Sequence, residues 1–457
     1  MHCPNRDAQT GLALWSVNAK GGSFAGSAPA EQRDELRSAE RTPEITYPTA
    51  SQHSIGNGIG IGTGGGYDAP MTQDLASRRW LILASTMVSF FSVGVTFFAV
   101  PPLIPELVGR FGLSHLAIGI LMGAISVPAI LFSIPLGAAI DRWPARATGN
   151  VSLGLMVIGA GLFALAPSYA VLVFGRLLFG VGGLAINLLL ARLVSNAFAG
   201  RELALAMGLF NAVYPASMIV MFSLHPRLLT LLGWRGELTA LAVVVILAIP
   251  LHNLAVPKNL CGEATSEVDS REPWISAGLL ALALSWLLFF ASYASIFTFA
   301  PEWQGGGSGG LLTVSLIPWA AIFLAPIAGI LIDRTGHASR WVVGGQVILA
   351  TVLVGMASRV LPPAPAMLLV GVTFATVATA TYSLPAVLVS ATRVGFAFGF
   401  ITAFSNLGNL VGPAITGAIH DRSHGWGTAW ILLAAAALVG AIAAATIREN
   451  RAAAPSE

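Results

Sequence analysis

Arg176 is the one charge of this 457-residue sequence that lies deep in a long apolar run. The run begins near Ala170, so at 1.5 Å per helical residue the guanidinium sits about 10 Å inside. A charge at the centre of a lipid-embedded helix costs about 2.5 to 3.5 kcal/mol on the insertion scale, which makes it a functional candidate. It could hold an anionic solute or relay with a protonatable partner. The structural alternative is that it snorkels outward or ties carbonyls of a neighbouring helix. Carboxylates are distributed differently: Glu106, Asp141, Glu237, Glu302, Asp333 and Asp421 all fall near the ends of apolar runs. No acidic proton carrier is therefore expected at mid-depth, and an unpaired Arg176 favours neutral or anionic cargo over cations. His225 and His420 read as interfacial.

The runs also contain Asn187, Asn211, Tyr214, Trp286, Tyr293, Trp319, Gln346, Tyr382, Asn406 and Asn409. Each could hydrogen-bond a solute or serve as interhelical glue. The preferred solute-binding set is Arg176, Asn211, Tyr214, Tyr293, Tyr382 and Asn406. There is no metal-ligand cluster, no phosphate-binding Gly-Lys-Ser/Thr loop and no nucleophile–base–acid set at a shared depth, so no enzyme, cofactor or resident metal is expected.

These residues need a scaffold. With 55% hydrophobic residues, 10% charged residues and a mean hydropathy of +0.76, lipid is the expected solvent. Crossing the hydrocarbon takes about 20 apolar residues in a helix. Twelve such runs start near Trp80, His115, Asn150, Ala170, Leu203, Glu237, Trp274, Leu311, Trp341, Pro365, Gly395 and Thr428. The expected fold is an all-α membrane protein of twelve transmembrane helices in two pseudo-symmetric six-helix bundles. Its predicted parts are a disordered cytoplasmic tail (1–78), an N-terminal bundle (79–257), a cytoplasmic linker (258–272), a C-terminal bundle (273–448) and a short cytoplasmic tail (449–457). Met71 would be an ordinary start, which would leave 1–70 untranslated.

Only Arg110, Arg227, Arg235, Arg359 and Arg422 fall in the loops on the far side, so the positive-inside rule puts both termini in the cytoplasm. That bias explains the net charge of +3 without nucleic acid. Cys3 and Cys261 lie in the tail and linker, and no disulfide is expected. Pro101, Pro128, Pro135, Pro215, Pro318, Pro326, Pro385 and Pro413 lie within or at the ends of helices, where each can bend the backbone.

The repeat is visible in Gly137-Ala-Ala-Ile-Asp141-Arg142, which returns 192 residues later as Gly329-Ile-Leu-Ile-Asp333-Arg334; the same offset carries Gly233-Trp234 onto Gly425-Trp426. Both Asp-Arg turns resemble the major facilitator superfamily loop between helices 2 and 3, Gly-x-x-x-Asp-Arg-x-Gly-Arg-Lys. Gly137, Asp141, Arg142 and Arg146 match, while Pro144 and Ala145 depart. In the second copy Gly329, Asp333, Arg334 and Gly336 match, and His337 and Ala338 stand at the basic positions.

Arg176-Leu-Leu-Phe-Gly180 resembles the family's Arg-x-x-Gln-Gly, with Phe179 for the glutamine. Gly408-x-x-x-Gly412-Pro413 resembles a Gly-Pro motif that the family's drug antiporters carry in helix 5, where this chain lacks it. The resemblance implies a conformational gate at Gly137, Asp141, Arg142, Arg146, Gly329, Asp333 and Arg334, with each aspartate facing a helix N-terminus across the cytoplasmic face. It also implies a monomeric secondary transporter of the bacterial inner membrane, using alternating access. Its expected partners are a small solute, a coupling proton or counter-solute, and the bilayer. A small organic or inorganic anion is the expected cargo. The alternatives are an exporter of apolar compounds and a non-transporting receptor or scaffold.

Overall fold

The computed structural model describes residues 69–140, 143–198, 202–258, 275–390 and 393–449. Asp141, Arg142 and most of the tail and linker assignments lie outside them. Helix begins at Ala69, inside the stretch read as tail. The described residues are almost wholly helical and contain no strand.

Twelve helices follow in chain order: α1 (Ala69–Phe97, resumed as Val100–Phe111), α2 (His115–Ala124, resumed as Val127–Ile140), α3 (Ala145–Leu165), α4 (Tyr169–Ala197), α5 and α6 (together Leu203–Ala255), α7 (Ala277–Trp303), α8 (Gly307–Val314, resumed as Leu316–Thr335), α9 (Ala338–Ala357), α10 (Pro363–Ser383, then Pro385–Leu388), α11 (Val394–Ser423) and α12 (Trp426–Ala445). Among the described residues eleven helical stretches are long and apolar enough to cross a membrane. The longest is two spans, because Gly233 leaves helical geometry at φ 66° and ψ 171° and turns the chain between α5 and α6. The left-handed φ is available there because glycine has no Cβ. Gly425 opens α12 in the corresponding place, and a buried tryptophan follows each glycine.

Four expected proline sites coincide with interruptions. Pro101 follows the break in α1, Pro128 that in α2, Pro318 that in α8 and Pro385 that in α10. Pro135, Pro215, Pro326 and Pro413 lie inside continuous helices. A proline cannot donate the backbone bond at its own position, so whether a helix breaks depends on what else satisfies the freed carbonyls.

Alternation of the spans defines two faces of the bundle. The terminal face carries both ends of the described chain; the distal face carries the α1–α2, α5–α6, α7–α8 and α11–α12 turns. The halves α1–α6 and α7–α12 meet chiefly where α2 packs on α11, α1 and α2 reach α7, and the Leu203–Ala255 stretch lies on α8. Small residues permit the closest crossing. A Cβ on Gly119 would run into the Pro413 backbone, and one on Gly417 into the His115 carbonyl. With little hydrophobic driving force between helices in lipid, such backbone proximity is the source of packing energy.

Candidate functional site

Arg176 is fully buried at 1% exposure, and its guanidinium is occupied by backbone. Nη1 donates to the Thr96 carbonyl at 2.8 Å and Nη2 to Phe97 at 3.4 Å; Nε donates to Leu121 at 3.2 Å and Nη2 also to Met122 at 3.2 Å. These are the carbonyls that the breaks in α1 and α2 release. Phe97 would have bonded the N–H that Pro101 lacks, and the N–H groups of Ile125 and Ser126, the regular partners of Leu121 and Met122, turn instead to Gly123. Phe163 lies beneath the guanidinium, 5.5 Å from its ring centre. Arg176 thus holds two broken helices together, the carbonyl-tying alternative raised by the sequence.

The aromatic candidates join into one strip that crosses from half to half. On the N-terminal side Tyr214 packs against Phe90, Phe97 and Phe98. Phe98 meets Phe297 of α7 at 5.4 Å between ring centres. The strip continues through Tyr293, stacked on Phe374 at 4.5 Å, and through the Phe289–Trp286 stack to Tyr382 and Phe398. No hydrogen bond is made by the Tyr214, Tyr293 or Tyr382 hydroxyls among the described residues, and Tyr382 is 47% exposed. Asn211 and Asn406 each use one amide N–H on the carbonyl a turn earlier, Met207 and Thr402, leaving their oxygens available. Gln346, by contrast, is buried glue, donating from α9 to Ser285 of α7.

At the terminal face Arg146 donates to Asn253 Oδ1 at 2.7 Å, and Asn150 completes a three-residue cluster that ties α3 to α6 within one half. Asp333 and Arg334 are exposed at the C-terminal end of α8. Gly137 and Gly329 stand with no backbone close to where a Cβ would be.

A carboxylate-on-helix contact of the kind expected for Asp141 and Asp333 joins the halves at the distal face. Asp421 of α11 accepts from the first two N–H groups of α2, His115 to Oδ1 at 3.0 Å and Leu116 to Oδ2 at 2.9 Å. The partial positive charge of a helix N-terminus favours a carboxylate there. The His115 ring lies between two acids, with Nδ1 2.8 Å from Asp421 Oδ1 and Nε2 3.0 Å from Glu302 Oε1 of α7. Together these contacts latch the halves across the distal face. Their partners stand 187 and 306 residues apart, so no local pattern in the sequence announces them. A second surprise is Glu237, expected near a surface: it is near the distal end of α6 but 0% exposed, bonded to His225 of α5 at 2.8 Å.

Matches to the Major Facilitator Superfamily model cover residues 83–358 and 306–457. The chain belongs to this family. It is therefore a multi-pass membrane transporter and not an enzyme. The hexuronate transporter of Bacillus subtilis (strain 168) is 24% identical over 360 residues, covering 72% of this chain and 85% of that protein. The human lysosomal dipeptide transporter MFSD1 is 25% identical over 318 residues, covering 62% of this chain and 68% of its own length. Among solved structures, a bacterial homolog of the human lysosomal transporter Spinster, crystallised inward-facing and unoccupied, superposes with a TM-score of 0.65. It is 15% identical, with 80% of this chain and 96% of that one covered, a likeness of fold. The aromatic strip thus joins the halves through Phe98 and Phe297, and the distal latch joins them again through His115, Glu302 and Asp421.

Proposed function

We propose that this facilitator carries a small organic solute with both an apolar face and hydrogen-bonding groups, recognised by the aromatic strip and the neutral polar groups along it. The observation that carries this reading is the absence of a charged side chain within the strip among the described residues, with Arg176 engaged by the carbonyls of α1 and α2. Rings supply stacking surface, while Tyr214, Tyr293, Tyr382, Asn211 and Asn406 supply directional contacts. Arginine bias in the loops supports termini on the cytoplasmic side. The distal latch then corresponds to closure on the outer side, in keeping with the inward-facing state of the Spinster homolog.

An anion such as a sugar acid is the second reading, favoured by the hexuronate transporter among the relatives. Proteoliposomes loaded with the purified chain separate the two. Uptake of uncharged or zwitterionic organic solutes, competed by one another and not by inorganic anions, is the expected result. Uptake confined to anions and abolished by nitrate or chloride competition would overturn the first reading. Absence of transport for both classes, with the protein folded and inserted, would overturn both readings.

A further inference from the structure

We infer that the distal latch is also a binding site for a borderline divalent cation, typified by Zn²⁺, with His115 Nδ1, His420 Nδ1 and a carboxylate oxygen of Asp421 as ligands. The three donor atoms lie within 4.8 Å of one another. His115 Nδ1 is 2.8 Å from Asp421 Oδ1 and 3.2 Å from His420 Nδ1. Tetrahedral zinc with bonds of about 2.0 to 2.1 Å separates its ligand atoms by about 3.3 Å, so little movement is needed.

Hydrogen bonding serves His115 and Asp421 but leaves His420 Nδ1 facing the same single donor at 3.2 Å. If His115 Nδ1 carries a proton, that single donor faces both Asp421 and His420. If His420 donates instead, the His115 lone pair is left against a carboxylate oxygen. A cation among the three satisfies every lone pair. It also agrees with the other side of the ring, where His115 Nε2 keeps its hydrogen and donates to Glu302 at 3.0 Å. A carboxylate behind a ligating histidine is the usual supporting arrangement in metal sites, where it fixes the tautomer and the ring orientation. The remaining position is open to water. His420 is held in place by stacking on Trp426, 3.9 Å between ring centres, and Asp421 by the two N–H groups of α2.

The ligands come from both halves: His115 from α2, His420 and Asp421 from α11. A bound ion therefore staples the distal face shut. Resting on the alternating-access reading, it slows transport by holding one conformer. If the distal-open state does not bind, an ion at 100 times its Kd shifts the conformer ratio about 100-fold.

The test begins with binding, independently of transport. Purified full-length protein, freed of any affinity tag, is titrated with ZnCl₂ by calorimetry, and the retained metal is counted. One equivalent with micromolar affinity is expected, weakened about 10-fold or more in His420→Gln and Asp421→Asn and about 10-fold in Glu302→Gln. CoCl₂ added to the unmutated protein should give the intense visible bands of tetrahedral N/O ligation, a readout that needs no variant to fold. No retained metal, octahedral cobalt bands, or equal retention by wild type, His420→Gln and Asp421→Asn would overturn the site. Spin labels at Thr230 and Val360 on the distal ends of the two halves then report on the staple. A distance distribution collapsing to its short component with Zn²⁺ supports it, and binding without that change overturns it while leaving the metal site intact.

Discussion

Replacing Asp421 by asparagine tests the latch most directly. The carboxylate accepts two backbone N–H groups at the start of α2, at 3.0 and 2.9 Å, and stands 2.8 Å from the His115 ring. Asparagine keeps one oxygen in this place but turns the other into a donor facing a donor, and it removes the charge that the helix terminus favours. Asp421 and His115 have side chains 27% and 17% exposed, so the interaction is partly buried and only partly screened. A carboxylate at a helix terminus contributes up to about 2 kcal/mol in such settings. Losing about 1 to 2 kcal/mol from the distal-closed conformer alone changes its ratio to the distal-open one by about 5- to 30-fold. Because the solute-binding candidates lie elsewhere, affinity for the solute in each conformer should persist. Pulsed electron spin resonance between labels at Thr230 and Val360, with Cys3 and Cys261 replaced by serine, should show a longer distance component growing in the variant. An unchanged distribution would refute the reasoning, leaving Asp421 as a cap for α2 with no part in gating.

Arg176→Ala should orphan the buried carbonyls of Phe97, Leu121 and Met122, with Thr96 keeping the Ala99 N–H, at about 1 to 3 kcal/mol each before water re-enters, lowering the thermal unfolding midpoint in detergent by about 5 °C or more. Arg176→Lys should restore little, because a point charge cannot span both helix breaks; an unaltered midpoint with lost transport would return Arg176 to the solute site. Gly119→Leu should force α2 away from the Pro413 backbone and favour the distal-open state, read as faster labelling of a cysteine placed at Ser114; protection equal to that of the parent would contradict the close crossing. Tyr293→Phe keeps the stack on Phe374 and removes only a hydroxyl, so the apparent KM should rise about 2- to 12-fold, the worth of one neutral hydrogen bond, with the unfolding midpoint unmoved. An unchanged KM would take Tyr293 out of the solute site.

The sequence by itself determined the number of the spans, the internal repeat and the family, because each depends on information within one helix or one turn. An apolar run of about 20 residues can satisfy its backbone in lipid only as a helix. Gly233-Trp234 and Gly425-Trp426 likewise mark the same turn twice without reference to any partner. Proline positions indicated where helices bend, but whether each helix broke was decided by neighbours, as Arg176 shows by capping the carbonyls freed in α1 and α2. A buried arginine reads alike whether it faces a solute or a neighbouring backbone, and the carbonyls that surround Arg176 come from helices whose packing the sequence does not show. The distal latch was decided wholly at this level. His115, Glu302, His420 and Asp421 are ordinary polar residues at helix ends when taken singly, and they acquire a role because α2, α7 and α11 converge there. Electrostatic contacts of that kind depend on distance in space, which the order of residues along the chain does not encode locally.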